Sequence, residues 1–130
     1  MKNVKEKFIE LELIIDEANK GWPSKTQTAA KSRLSTNKNN QAIDALIKIF
    51  KYFEENREEA DHILSELMKH ENEQVRTGAA THCLALNIRT DQALGVLKQT
   101  FNDVTPRWAK MQASGTLMIY EQQGYLTMYR

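Results

Sequence analysis

Apolar residues recur along this chain at three- and four-residue spacing, the period of a helix buried on one face. Val4, Phe8, Leu11, Ile15 and Ala18 form such a stripe, widened by Leu13 and Ile14, and predict a first helix over Lys2 to Asn19. Gly21 and Pro23 end it, and Trp22 in that break is expected to plug the end of a helical bundle. Ser24 to Leu34 is a weaker helical segment, its apolar content limited to Ala29, Ala30 and Leu34. The run STNKNN offers capping side chains, and one of Ser35, Thr36 or Asn37 is expected to open a second helix reaching about Phe53. Ala42, Ile43, Leu46, Ile47, Ile49, Phe50 and Phe53 give that helix a broad face, with Tyr52 at its edge. Such breadth predicts a central helix touched on more than one side.

From Arg57 to Tyr120 the pattern repeats as two helix-turn-helix units. The leading helix of the first carries Ala60, Ile63, Leu64 and Leu67; His70 to Gln74 make the turn. Val75, Ala79, Ala80, Cys83 and Leu86 line the trailing helix, with Leu84 beside them. Gly78, Ala79 and Ala80 lack bulk, so a neighbouring helix can approach closely, at some loss of helix propensity at Gly78. In the second unit, Thr90 or Asp91 can cap a helix bearing Ala93, Leu94, Leu97 and Phe101. Asp103 or Thr105 can cap the last helix, with Pro106 in its first turn. Trp108, Met111, Gly115, Met118 and Ile119 are expected to share its buried stripe, Leu117 adding breadth, and Gly124 to end it. The apolar tail YLTMYR is expected to fold back as a cap or to join a contact surface. Units this small cannot bury their own apolar faces and must stack on neighbours.

The block EADHILSELMKHENEQVRTGAATHCLAL resembles a HEAT-type repeat: a leucine-periodic helix, an acidic turn, then a Val-Arg pair and small residues, here Val75, Arg76, Gly78, Ala79 and Ala80. The resemblance implies that Val75 packs inward and that Arg76 crosses the turn and joins the repeats by hydrogen bonds. The second unit departs from it, with Thr105, Pro106, Arg107 and Trp108 where the pair would stand. Over residues 37–121 the chain is similar to small bacterial HEAT-like proteins, whose long Asn-started helix is matched loosely by Asn40 and QAIDALIKIFKYF. Some of these look like immunity proteins, which bind and block a cognate toxin domain.

Composition narrows the function classes. The 130 residues are 41% hydrophobic, enough for one packed domain. The formal net charge of +1 gives no reason to expect a nucleic-acid or membrane partner. The charge is unevenly spread, however: residues 54–73 hold eight acidic and two basic groups. One cysteine, Cys83, precludes an internal disulfide, and the first residues lack a signal peptide's apolar run. A protein of a reducing cytosol, without membrane or cofactor, is the expectation.

Candidate chemistry is sparse. His62, His70 and His82 form no HxxxH pair, so no metal site is expected. Neighbours on a helix do not face one another, which disqualifies His82 and Cys83 as a nucleophilic pair. Cys83 is expected to be a buried small hydrophobe and His82 to lie near the surface or an interhelical edge. Arg76, Arg89, Lys98, Arg107 and Lys110 are too dispersed for a basic stripe that grips DNA.

The reading is an all-α, short right-handed HEAT-like stack of about five to seven helices in one domain over residues 1–130. It comprises N-terminal helices over 1–56, two hairpin units over 57–121 and a tail over 122–130. The expected role is non-catalytic protein binding, most concretely immunity by occlusion of a toxin's active site. A general adaptor and a small DNA-binding protein are the rival readings. Glu54, Glu55, Glu58, Glu59, Asp61, Glu66, Glu71 and Glu73 would meet a basic partner, with Tyr120, Tyr125 and Tyr129 as aromatic anchors.

Overall fold

The computed structural model describes residues 3–19, 29–103 and 108–126, with side chains from residue 37 onward in the second stretch. Gly21, Trp22, Pro23, Thr105, Pro106, Arg107 and Tyr129, and the expectations attached to them, lie outside the described residues. Six helices and no strand occur among those described: α1 (Val4–Ala18), α2 (Ala29–Glu55), α3 (Arg57–Leu67), α4 (Glu73–Leu86), α5 (Thr90–Phe101) and α6 (Trp108–Gln123).

The first helix follows its stripe: Val4, Phe8, Leu11 and Ile15 are buried, whereas Leu13 is largely exposed. Asn19 closes it, its Nδ2 donating to the Ile15 carbonyl at 2.8 Å and to Asn39 Oδ1 on α2 at 3.1 Å. The expected break at Ser35 to Asn37 does not occur, because α2 runs unbroken from Ala29 to Glu55. Ser, Thr and Asn inside a helix cost only a few tenths of a kcal/mol each relative to Ala, and no proline interrupts this run.

Asn56 alone separates α2 from α3, and its Nδ2 donates to the Tyr52 carbonyl at 2.9 Å. The turn into α4 is tightly bonded. Asn72 Oδ1 accepts from the Val75 amide at 3.1 Å, and His70 Nδ1 accepts from the Asn72 amide at 2.9 Å. Arg76 Nη1 donates to the carbonyls of His70 at 2.8 Å and Glu71 at 2.9 Å. Val75 is fully buried, as the resemblance implies, but these bonds hold Arg76 to the turn of its own hairpin. Two other arginines brace the α3–α4 hairpin and its exit toward α5. Arg57 donates to the Leu86 carbonyl, and Arg89 grips Asp61 through Nε at 2.7 Å and Nη2 at 3.1 Å. The cap expected from Thr90 or Asp91 is absent: α5 starts after Arg89, itself in the left-handed region at φ 45°.

The central helix is α4, not α2. Apart from Glu73, Arg76 and Ala85, every residue of α4 is buried, and the helix touches α1, α3, α5 and α6. Small side chains explain this: Gly78, Ala79 and Ala80 let neighbours close in from several sides. The core joins Phe8 of α1 and Leu46, Ile49 and Phe53 of α2 to Leu64 and Leu67 of α3, then continues through α4 to Ala93 and Leu97 of α5. The last helix turns the other way from its expected stripe. Ala109, Ala113, Thr116 and Leu117 are buried, while Met111, Met118 and Ile119 are exposed. The face that α6 turns toward α4 and α5 thus carries mostly small side chains, and the bulkier Met111, Met118 and Ile119 lie outward.

Candidate functional site

The acidic block is on the surface, and part of its charge is already answered within the chain. Asp61 is paired with Arg89, whose hydrogen bonds hold its carboxyl below the usual carboxylate range. Glu66 meets Lys5 and His62, and the Lys5 hydrogen bond lowers its pKa. Glu59 accepts from the Tyr52 hydroxyl, which raises the pKa of that phenol. Glu55, Glu58 and Glu71 are exposed, and Glu54 and Glu73 are half-buried, Glu73 in the first turn of α4. These residues therefore edge the first hairpin without converging on a common pocket. Tyr120 is half-buried against the core, and Tyr125 is exposed just past Gly124, where α6 ends at φ 79°.

Several residues of the rival readings are engaged or buried within the chain. Of the basic residues, Arg76 is engaged by turn carbonyls and Arg89 by Asp61. Among the described residues no three His, Cys, Asp or Glu side chains gather to hold a metal ion. Cys83 is buried, and burial pushes its thiol up to about 12, far from a reactive thiolate. No helix among the described residues is long and apolar enough to cross a membrane.

His82 is not near the surface; it is 1% exposed. Its ring stands edge-on to Phe8, with centroids 5.0 Å apart, and to Phe50 at 5.7 Å. Nδ1 lies 2.9 Å from the Gly78 carbonyl, which can only accept, so Nδ1 carries the proton. Burial outweighs that bond and lowers the pKa to about 4, keeping the imidazole neutral.

Beside it lies a buried acid that periodicity alone does not single out. Glu12 is 2% exposed, in the interface of α1 with α4. Gln74 Nε2 donates to its Oε2 at 3.0 Å and to Gln112 Oε1 of α6 at 2.8 Å, linking three helices. Burial pushes the Glu12 carboxyl up to about 8; the Gln74 hydrogen bond acts against that shift, and Asp16, one turn along, adds to it. The acid is therefore protonated at neutral pH. A signal was present in the sequence. Glu12 sits four residues after Phe8 and three before Ile15, on the apolar stripe itself. On α4, Gln74, Gly78 and His82 recur every fourth residue and form the ridge that faces it. Glu12, Ile15, Asn39, Ile43, Leu46, His82, Trp108 and Gln112 line a cleft of about 230 Å³.

The second hairpin carries a different surface. Phe101 is 44% exposed, Met111 50%, Met118 57%, Ile119 42% and Tyr125 60%, high values for side chains of this kind. Met111, Ser114, Met118 and Glu121 follow one ridge of α6. Phe101 lies across from it, and with Leu117 and Met118 it lines a cleft of about 380 Å³ rimmed by Lys98, Asn102, Ser114 and Glu121. Apolar walls under a polar rim are what a protein-binding patch requires. No protein-family model, curated protein sequence or solved structure matches this chain.

Proposed function

We propose that this chain is a non-catalytic protein-binding module of HEAT-like type, acting most concretely as an immunity protein that occludes the active site of a cognate toxin domain. The supporting observation is the apolar face of the second hairpin, where Phe101, Met111, Met118 and Ile119 are held outward on a rigid helical frame. Single exposed apolar residues are ordinary, but a group of them along one hairpin and its cleft favours a partner. Aromatic and methionine side chains are enriched at the centres of protein interfaces, and Tyr125 extends the patch beyond Gly124. Glu55 at the end of α2 and Glu58 in the first turn of α3 supply negative potential that would speed encounter with a basic toxin surface. Successive helical hairpins joined by short turns, with Val75 inward, agree with a HEAT-like arrangement. In this reading the protein occupies the cytoplasm of the cell that it protects.

The test is to look beside the chain's own gene for one that encodes a toxic C-terminal domain and to mix the two purified products. A stable one-to-one complex and protection of the toxin's target are expected. Met118→Asp, at an exposed position, should fold normally and weaken the complex by about a hundredfold, the scale of a central interface residue. Absence of a complex and of protection would remove the immunity reading.

A further inference from the structure

We propose that the cleft between α1, α2, α4 and the start of α6 is a binding site for a small organic cation, an ammonium or amidinium group on an apolar body. Its counter-ion would be the Glu12 carboxylate. The site is separate from the apolar face of the second hairpin and does not depend on it.

Among the described residues no basic side chain lines the cleft beside Glu12. Buried acids in folded proteins are normally paired with a base, and elsewhere in this chain Asp61 has Arg89 and Glu66 has Lys5. Glu12 is more deeply buried than either, yet the groups around it among the described residues are not basic. Gln74 of α4 offers an amide, and Gln112 of α6 is linked through it. His82 of α4 is an imidazole kept neutral by burial, Asn39 represents α2, and Asp16 on α1 carries the same sign as Glu12.

Geometry supplies the rest. Glu12, Leu46 and His82 form a buried floor, while Asn39, Ile43, Trp108 and Gln112 are half-buried and form the mouth. The carboxyl lies directly over Gly78: a Cβ placed there would stand 2.2 Å from Glu12 Oε1, so the missing side chain is what makes room for the acid. Gln74 fixes Oε2, which orients the carboxyl. Ile15, Ile43 and Leu46 provide apolar walls. At 230 Å³ the cleft holds roughly eight water-sized groups, which sets the ligand at fragment size. An anion finds no cationic group in the lining. A neutral ligand would gain hydrogen bonds alone, whereas a cation gains a desolvated ion pair.

Because the acid is held protonated up to about 8, a cation that binds at pH 7 must displace its proton. The probe is benzylammonium chloride, titrated calorimetrically into the full chain at pH 7 in two buffers of different ionisation heat. Benzyl alcohol and benzoate are the neutral and anionic controls. Saturable binding of the amine with release of about one proton is expected, with the alcohol about tenfold weaker and benzoate silent. Glu12→Gln keeps the shape of the neutral acid and should lose about tenfold in amine affinity. Ile43→Trp, which fills the mouth, should abolish binding. Equal affinity for amine and alcohol, binding without proton release, or no saturable binding by the amine would each overturn the proposal.

Discussion

Gly78 and Glu12 depend on each other. In most helices Gly to Ala stabilises by about 1 kcal/mol. Here the new methyl group would displace a buried carboxyl from its Gln74 hydrogen bond. Gly78→Ala is therefore expected to destabilise by about 1–3 kcal/mol in urea unfolding. In a Glu12→Ala background the obstruction is gone, and the same substitution should become neutral or stabilising by up to about 1 kcal/mol. An equal cost in both backgrounds would show that the two residues are not coupled. The role expected of Gly78 in close packing was legible in the sequence, but the occupant of the space was not. A glutamate is assigned to solvent by its chemistry, and only its position between Phe8 and Ile15 argued otherwise. His82 was misplaced for the same reason: polarity suggested an edge, while two phenylalanines from other helices enclose it.

At the scale of elements, periodicity located the six helices of the described residues but misplaced the start of α2. The STNKNN run has good capping residues, yet capping matters only where a helix has a reason to start, and α2 had already begun at Ala29. The true cap of this kind is Asn72, whose Oδ1 holds the Val75 amide. Asn72→Ala is expected to cost about 1 kcal/mol, read as a lower urea midpoint with an unchanged slope. The face of α6 could not be read from its own residues, since large apolar side chains occur around much of its circumference. The face that packs on α4 and α5 is the one bearing Ala109, Ala113, Thr116 and Leu117. The apolar surface at the second hairpin is thus a consequence of packing.

For the whole molecule, two buried titrations shape stability in opposite directions. Glu12 keeps its proton to about pH 8 when folded, against 4.5 for a glutamate in water, so stability falls as pH rises between those values. His82 stays neutral when folded down to about pH 4, against 6.5 for a histidine in water, so its contribution rises with pH across that window. The two offset each other between 4.5 and 6.5. From 6.5 to 8 Glu12 acts alone, and stability should drop by about 1.4 kcal/mol per pH unit before levelling. Urea unfolding at successive pH values checks this, and Glu12→Gln should remove the slope. A flat wild-type profile over that range would contradict the buried, protonated acid.

The central claim is that this chain works by presenting the α5–α6 face to another protein. Hydrogen exchange of the chain alone and in complex with the proposed toxin domain tests it most directly. Slowed exchange is predicted over α5 and α6, around Phe101 and Met118, with weaker protection at the acidic start of α3. Protection confined to α1 and α2, with α5 and α6 unchanged, would contradict it.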